Sequence, residues 1–80
     1  MPYIKYNRRE DLANGSAMTS AGELNYKITL LLIDYVHAKG LSYQTINDIV
    51  GALDCAKAEF YRRKALPYEN KKIVENGDVY

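Results

Sequence analysis

Cysteine and histidine are almost missing from this chain: Cys55 and His37 are the sole examples of each. One Cys cannot close an internal disulfide, and one His with one Cys cannot furnish a typical structural zinc site. Trp is absent, Phe occurs once and Pro twice. No apolar run approaches the ~20 residues that span a bilayer. The longest, Ile28 to Val36, is interrupted by Asp34. Met1 is followed by Pro2, Tyr3 and charged residues rather than by an apolar signal segment, so the sequence reads as a cytosolic chain in a reducing compartment. Neither sign of charge dominates: 11 basic against 10 acidic residues leave a net +1. Such a balance supplies no overall field toward nucleic acid or an anionic membrane. No GxSxG, HExxH, phosphate-binding loop or paired-Cys motif occurs, and no catalytic residue, metal site or cofactor is implied.

What remains is a chain of 80 residues, 48% hydrophobic and 26% charged, which fits one small globular domain over 1–80. A domain of this size buries only about 60–65% of the surface of its unfolded chain. Ordering costs roughly 1.5 kcal/mol per residue, so apolar gain and entropic loss nearly cancel. Small proteins make up the difference with disulfides, a metal or a second subunit. With the first two excluded, a homo-oligomer is expected.

The patterning predicts an all-α fold: a small helical hairpin plus a short third helix, preceded by an extended N-terminal strip. Residues 1–19 form the strip and loop, in which Asn7 to Leu12 can make one or two helical turns and Asn14-Gly15 marks a turn. A helix is predicted over 20–39. Ser20 and Glu23 match a capping box, and Leu24, Ile28, Leu31, Leu32 and Tyr35 follow at helical spacing. Leu30, Ile33 and Val36 widen that arc beyond what one partner face covers. Gly40 suits the C-terminal cap. A second helix is predicted over 42–66, with Leu41 and Ile46 placed as a hydrophobic staple. Its candidate core stripe is Ile46, Ile49, Val50, Leu53, Ala56 and Phe60, and Gly51, Ala52, Ala56 and Ala58 leave room for a close neighbour. Leu66 precedes Pro67 and is biased away from helical geometry. Pro67 then opens a third helix over 67–76, and 77–80 is a tail.

Cys55 and His37 are weighed first as a nucleophile and base. Cys55 reads instead as a small buried or half-buried residue, and His37 as a surface or cap residue at a helix end. Tyrosine is the compositional outlier, with 8 copies. Its flat ring and polar tip suit interfaces and the faces of bases. The densest cationic stretch is Phe60-Tyr61-Arg62-Arg63-Lys64. Glu59 and Arg63 can pair at i,i+4 as a solvated helix pair, whereas the Arg forks can also grip phosphate beside stacking Tyr rings. The candidate ligand-binding residues are Tyr26, Tyr43, Tyr61, Arg62, Arg63 and Tyr68.

The blocks GELNYKIT (Gly22 to Thr29), SYQTINDIVGAL (Ser42 to Leu53), EFYRR (Glu59 to Arg63) and LPYENKKIVENGDVY (Leu66 to Tyr80), with the start MPYIK, resemble a family of short uncharacterised proteins of bacteriophages and prophages. The segment Arg8 to Ser20 departs from that pattern by being shorter than the N-terminal helix usual there. The resemblance implies a phage-associated context in the cytoplasm of a bacterial host, and no catalytic residues.

The expected function is therefore non-enzymatic binding at a subunit interface, with a small nucleotide signal of host immunity as the ligand to be sequestered. The alternative is an interaction protein that docks on and inhibits a host or phage protein. A nucleic-acid-binding regulator is the weaker alternative, because no helix reads as a basic recognition helix.

Overall fold

The computed structural model describes residues 4–80, and all regular structure in that range is helical. In chain order it comprises α1 (Tyr6–Ala13), α2 (Ala21–Lys39), α3 (Tyr43–Phe60), a π turn (Tyr61–Ala65) and α4 (Leu66–Asn76). The chain divides into two units, Met1–Thr45 and Ile46–Tyr80. The extended strip expected from Met1 onward falls partly outside the described residues. Within the segment 1–19 the finding is a helix, since the turns foreseen at Asn7 to Leu12 extend to all of α1.

Polar clamps organise the first unit. Ser20 caps α2, its Oγ accepting from the Glu23 backbone N–H at 3.1 Å. In an ordinary capping box Glu23 would reach back to the N–H of Ser20 itself. Here its Oε1 accepts instead from the N–H of Thr19 at 2.9 Å and from the Thr19 hydroxyl at 3.1 Å. The carboxylate is drawn there because Arg8 holds it from the other side. Arg8 Nε donates to Oε2 at 2.7 Å and its terminal nitrogen Nη2 to Oε1 at 2.8 Å. The same Nη2 also donates to the Ala17 carbonyl at 2.7 Å. One ion pair therefore ties α1, the loop after it and the first turn of α2. Lys27 of α2 completes the clamp by donating at 2.8 Å to the Leu12 carbonyl near the end of α1, which also accepts from the Gly15 N–H at 3.2 Å. Beneath these bonds Leu12 is 0% exposed and Ile4 is buried. Gly40 closes α2 as foreseen, at φ +82 with its N–H on the Val36 carbonyl.

The second unit is a run of helix from Ile46 to Asn76, about 45 Å at 1.5 Å per residue. No break occurs at Leu66. The bias of a residue before proline is overridden: Leu66 is helical at φ −61, ψ −47. Proline in a regular α-turn would strike the carbonyl four residues back, that of Arg63, and would leave a bond unmade. The chain instead widens by one residue, and the Leu66 N–H donates to the Tyr61 carbonyl five residues back. The helix carries on through Pro67 and stops at Gly77, φ +84.

Burial differs from the sequence expectation. Among the described residues only Ile4, Leu12 and Thr45 are buried. The α3 stripe is uncovered: Leu53 is 39% and Phe60 67% exposed. Cys55 is exposed rather than half-buried, and Leu41 and Ile46, read as a staple, are both exposed. The physical reason is that among the described residues α4 meets only the π turn that feeds it, so no helix of this unit lies across α3.

Two outcomes follow from this anatomy. The Arg8 guanidinium first, then the Thr19 N–H, hold the Glu23 carboxyl down to about 2 from an ordinary 4.5. A depressed carboxylate stabilises the fold above its unfolded pKa and ceases to do so as pH falls through the folded one. The α1–α2 clamp is therefore intact at pH 5 and above and is lost between about pH 4.5 and 2, which NMR shifts of α1 amides will follow. Glu23→Gln abolishes that acid transition. At Gly51, φ is not positive and an added Cβ meets nothing within 4 Å. Gly51→Ala thus raises stability by about 0.5–1 kcal/mol, read from chemical denaturation.

Candidate functional site

The π turn gathers the chemistry of the second unit. Glu59, at the end of α3, accepts from both arginines that follow it. Arg62 Nη2 lies 2.9 Å and 3.0 Å from the two carboxylate oxygens, and Arg63 Nε bonds Oε1. Adjacent arginines on a helix point about 100° apart. Their convergence on one carboxylate is possible because they sit three and four residues beyond it. All three groups are exposed, and the arginines hold the Glu59 carboxyl below its ordinary value, Arg63 first and Arg62 second. Solvent screening makes such pairs weak structural supports. Their effect is to aim two guanidinium forks at one point with a local charge of +1.

Tyr61 faces another way. Its hydroxyl donates to Glu69, 2.9 Å and 3.1 Å from the two oxygens. The two residues are eight apart, which in a regular α-helix leaves their side chains about 80° apart around the axis. The extra residue of the π turn rotates Glu69 back over Tyr61. The hydrogen bond therefore spans the widened turn and fixes its phase. A neighbouring carboxylate favours the neutral phenol, so the Tyr61 pKa is raised, with the hydrogen bond it donates to Glu69 the largest cause.

Further along, Lys72 Nζ lies 5.6 Å above the Tyr68 ring and 3.2 Å from Glu75. Tyr68, Lys72 and Ile73 of α4, with Val79 and Tyr80 of the tail, border an open cleft of about 480 Å³. Among the described residues no group of three or more His, Cys, Asp or Glu side chains comes together to hold a metal ion, and no helix is long and apolar enough to cross a membrane.

The six candidate ligand residues thus divide. Tyr61, Arg62 and Arg63 share the π turn and Tyr68 sits on α4 just beyond it. Tyr26 is half-buried on α2, and Tyr43, 88% exposed, opens α3; both belong to the first unit. Sequence reasoning found the Glu59–Arg63 pair but missed Glu69, whose role depends on the inserted residue. Pro67 was the available signal, since a proline inside a helical pattern demands a local change of turn. Arg8 and Glu23, fifteen residues apart, carried no short-range signal for their pairing.

The phenol of Tyr61 is expected to titrate above its ordinary 10.0, and Glu69→Gln to bring it back toward that value. Residue-specific NMR of the tyrosine ring carbons against pH separates it from the other tyrosines. A Tyr61 that titrates alike in both proteins would remove the hydrogen bond as the element that fixes the π turn.

Comparison with known proteins gives one result. No match was found among curated proteins, and none among solved structures. A family model described as a domain of unknown function, DUF6899, matches residues 1–79. With all but the last residue inside that match, the chain belongs to the DUF6899 family.

Proposed function

We propose that this chain is a non-enzymatic interaction protein that docks on a host or phage protein through its second unit. The observation behind the reading is the cleft beside α4. Tyr68, Ile73, Val79 and Tyr80 give it an aromatic and aliphatic wall, Lys72 adds a cation, and it is open enough to admit side chains of a partner surface. Tyr with aliphatic neighbours is the composition that protein interfaces favour, with the ring supplying apolar area and the hydroxyl a polar handle. The resemblance of its sequence blocks to short phage and prophage proteins supports an infected bacterium as the setting of that target. A photo-reactive phenylalanine analogue at Tyr68 tests this in cells. The expected product is one defined non-self adduct that disappears with Ile73→Asp. Adducts with copies of the chain alone would overturn the reading.

A second reading is favoured by the convergence of Arg62 and Arg63. In this reading the chain sequesters a small nucleotide, whose phosphate takes the point that Glu59 now holds while Tyr61 or Tyr68 stacks on the base. Calorimetric titration against cyclic and linear nucleotides decides it. Arg62→Ala or Arg63→Ala should each weaken binding by about ten- to a hundredfold. The absence of heat with the parent chain would eliminate nucleotides.

A further inference from the structure

The geometry points to a phosphate site with its own competitor: Glu59 occupies the point between Arg62 and Arg63, and the ligand that displaces it carries a terminal phosphate monoester rather than a phosphodiester. This inference rests on the nucleotide reading and names the chemical class of its ligand. The Glu59 carboxylate accepts from Arg62 Nη2 at 2.9 Å and 3.0 Å and from Arg63 Nε. Two guanidinium groups that meet on one pair of anionic oxygens already have the arrangement that holds a phosphate. Glu59 engages one nitrogen of each, whereas a guanidinium presents a whole fork of N–H donors. Donors therefore remain for an anion with more oxygens than a carboxylate has. The exchange costs little. The side chains of Arg62, Arg63 and Glu59 are 64%, 68% and 49% exposed, so the carboxylate can swing into water and the pairs it leaves are weak ones.

Charge and oxygen count decide which phosphate wins that exchange. Two arginines and one glutamate leave a local charge of +1. A phosphodiester has a single negative charge and two unbridged oxygens, just as the carboxylate has. Its entry swaps like for like, gains no Coulomb energy and strands Glu59 nearby as a repelling charge. A terminal monoester carries about −1.5 to −2 near neutral pH and three acceptor oxygens. It brings the two arginines close to neutrality and uses more of their forks. One added unit of charge beside two guanidinium groups is worth roughly tenfold in affinity in screened water. Glu59 thus acts as a threshold that a monoanion meets only on equal terms and a dianion exceeds. The same threshold tells against a nucleic-acid backbone, whose links are diesters.

Calorimetric titration of the full chain at about pH 8, where a monoester is dianionic, tests it with three probes: adenosine monophosphate, its cyclic diester and inorganic phosphate. NMR of the arginine side-chain N–H groups reports where each probe sits. The monophosphate is expected to bind about tenfold more tightly than the cyclic diester and to shift the Arg62 and Arg63 signals. Glu59→Gln keeps the shape of the side chain and removes its charge, so it should tighten the monophosphate by about three- to tenfold. Inorganic phosphate should bind more weakly than the monophosphate, because it brings no base to stack. Equal affinity for monoester and diester overturns the proposal and leaves the nucleotide reading standing. So does a Glu59→Gln chain that binds no tighter than the parent. Inorganic phosphate that binds as well as the monophosphate overturns a nucleotide as the source of the phosphate. No binding of any probe to either protein overturns both the proposal and the reading it rests on.

Discussion

An amphipathic helix holds together in water chiefly because something covers its apolar stripe; backbone hydrogen bonds alone leave all but the longest isolated helices marginal. That requirement governs the whole chain. The first unit meets it in part. α1 lies on α2, Leu12 is fully buried, and the Arg8–Glu23 pair fixes the contact. The arrangement is economical in apolar area and heavy in directed bonds: a guanidinium, an ammonium, a hydroxyl and two backbone N–H groups all serve to lock one helical turn to another. The second unit has no such internal cover. Its helix is continuous through the π turn, yet the apolar stripe of α3 is exposed.

Pro67 shapes what that second helix can do. A plain α-turn would make the proline ring collide with a carbonyl, and a break would end the helix near Ala65. Widening the turn by one residue avoids both. The same insertion brings Glu69 over Tyr61, leaves Arg62 and Arg63 to share Glu59, and ends the regular α-helical spacing of the apolar stripe at Phe60. The charged cluster, the end of the apolar stripe and the approach to the α4 cleft thus follow from one local solution to one steric problem.

Most of the helical fold was legible because its signals are short-range. Ser20, Gly40, Ser42 and Gly77 act within a few residues of themselves, and all four mark helix ends in the structure. The Leu66–Pro67 step misled for the opposite reason. The local bias was real, but a π turn can absorb it, and the sequence carries no signal for which outcome wins. The α3 stripe was read correctly as apolar and periodic. Reading it as the core of one chain assumed that its cover lies in the same chain, and periodicity does not say whose atoms lie opposite. In the candidate site the Arg62–Arg63 pairing to Glu59 obeyed the i,i+3 and i,i+4 rule and was accessible, whereas Tyr61–Glu69 needed the inserted residue.

The DUF6899 family match fixes kinship without assigning chemistry, so physical argument carries the rest. The expectation of a homo-oligomer, in which a second copy covers the apolar stripe of α3, bears on the whole chain. Urea unfolding followed by circular dichroism, repeated across a hundredfold range of protein concentration, tests that claim most directly. If a second copy covers the stripe, mass action raises the unfolding midpoint with each increase in concentration. A midpoint that stays fixed across the whole range, with the helical signal retained at the lowest concentration, would contradict the account.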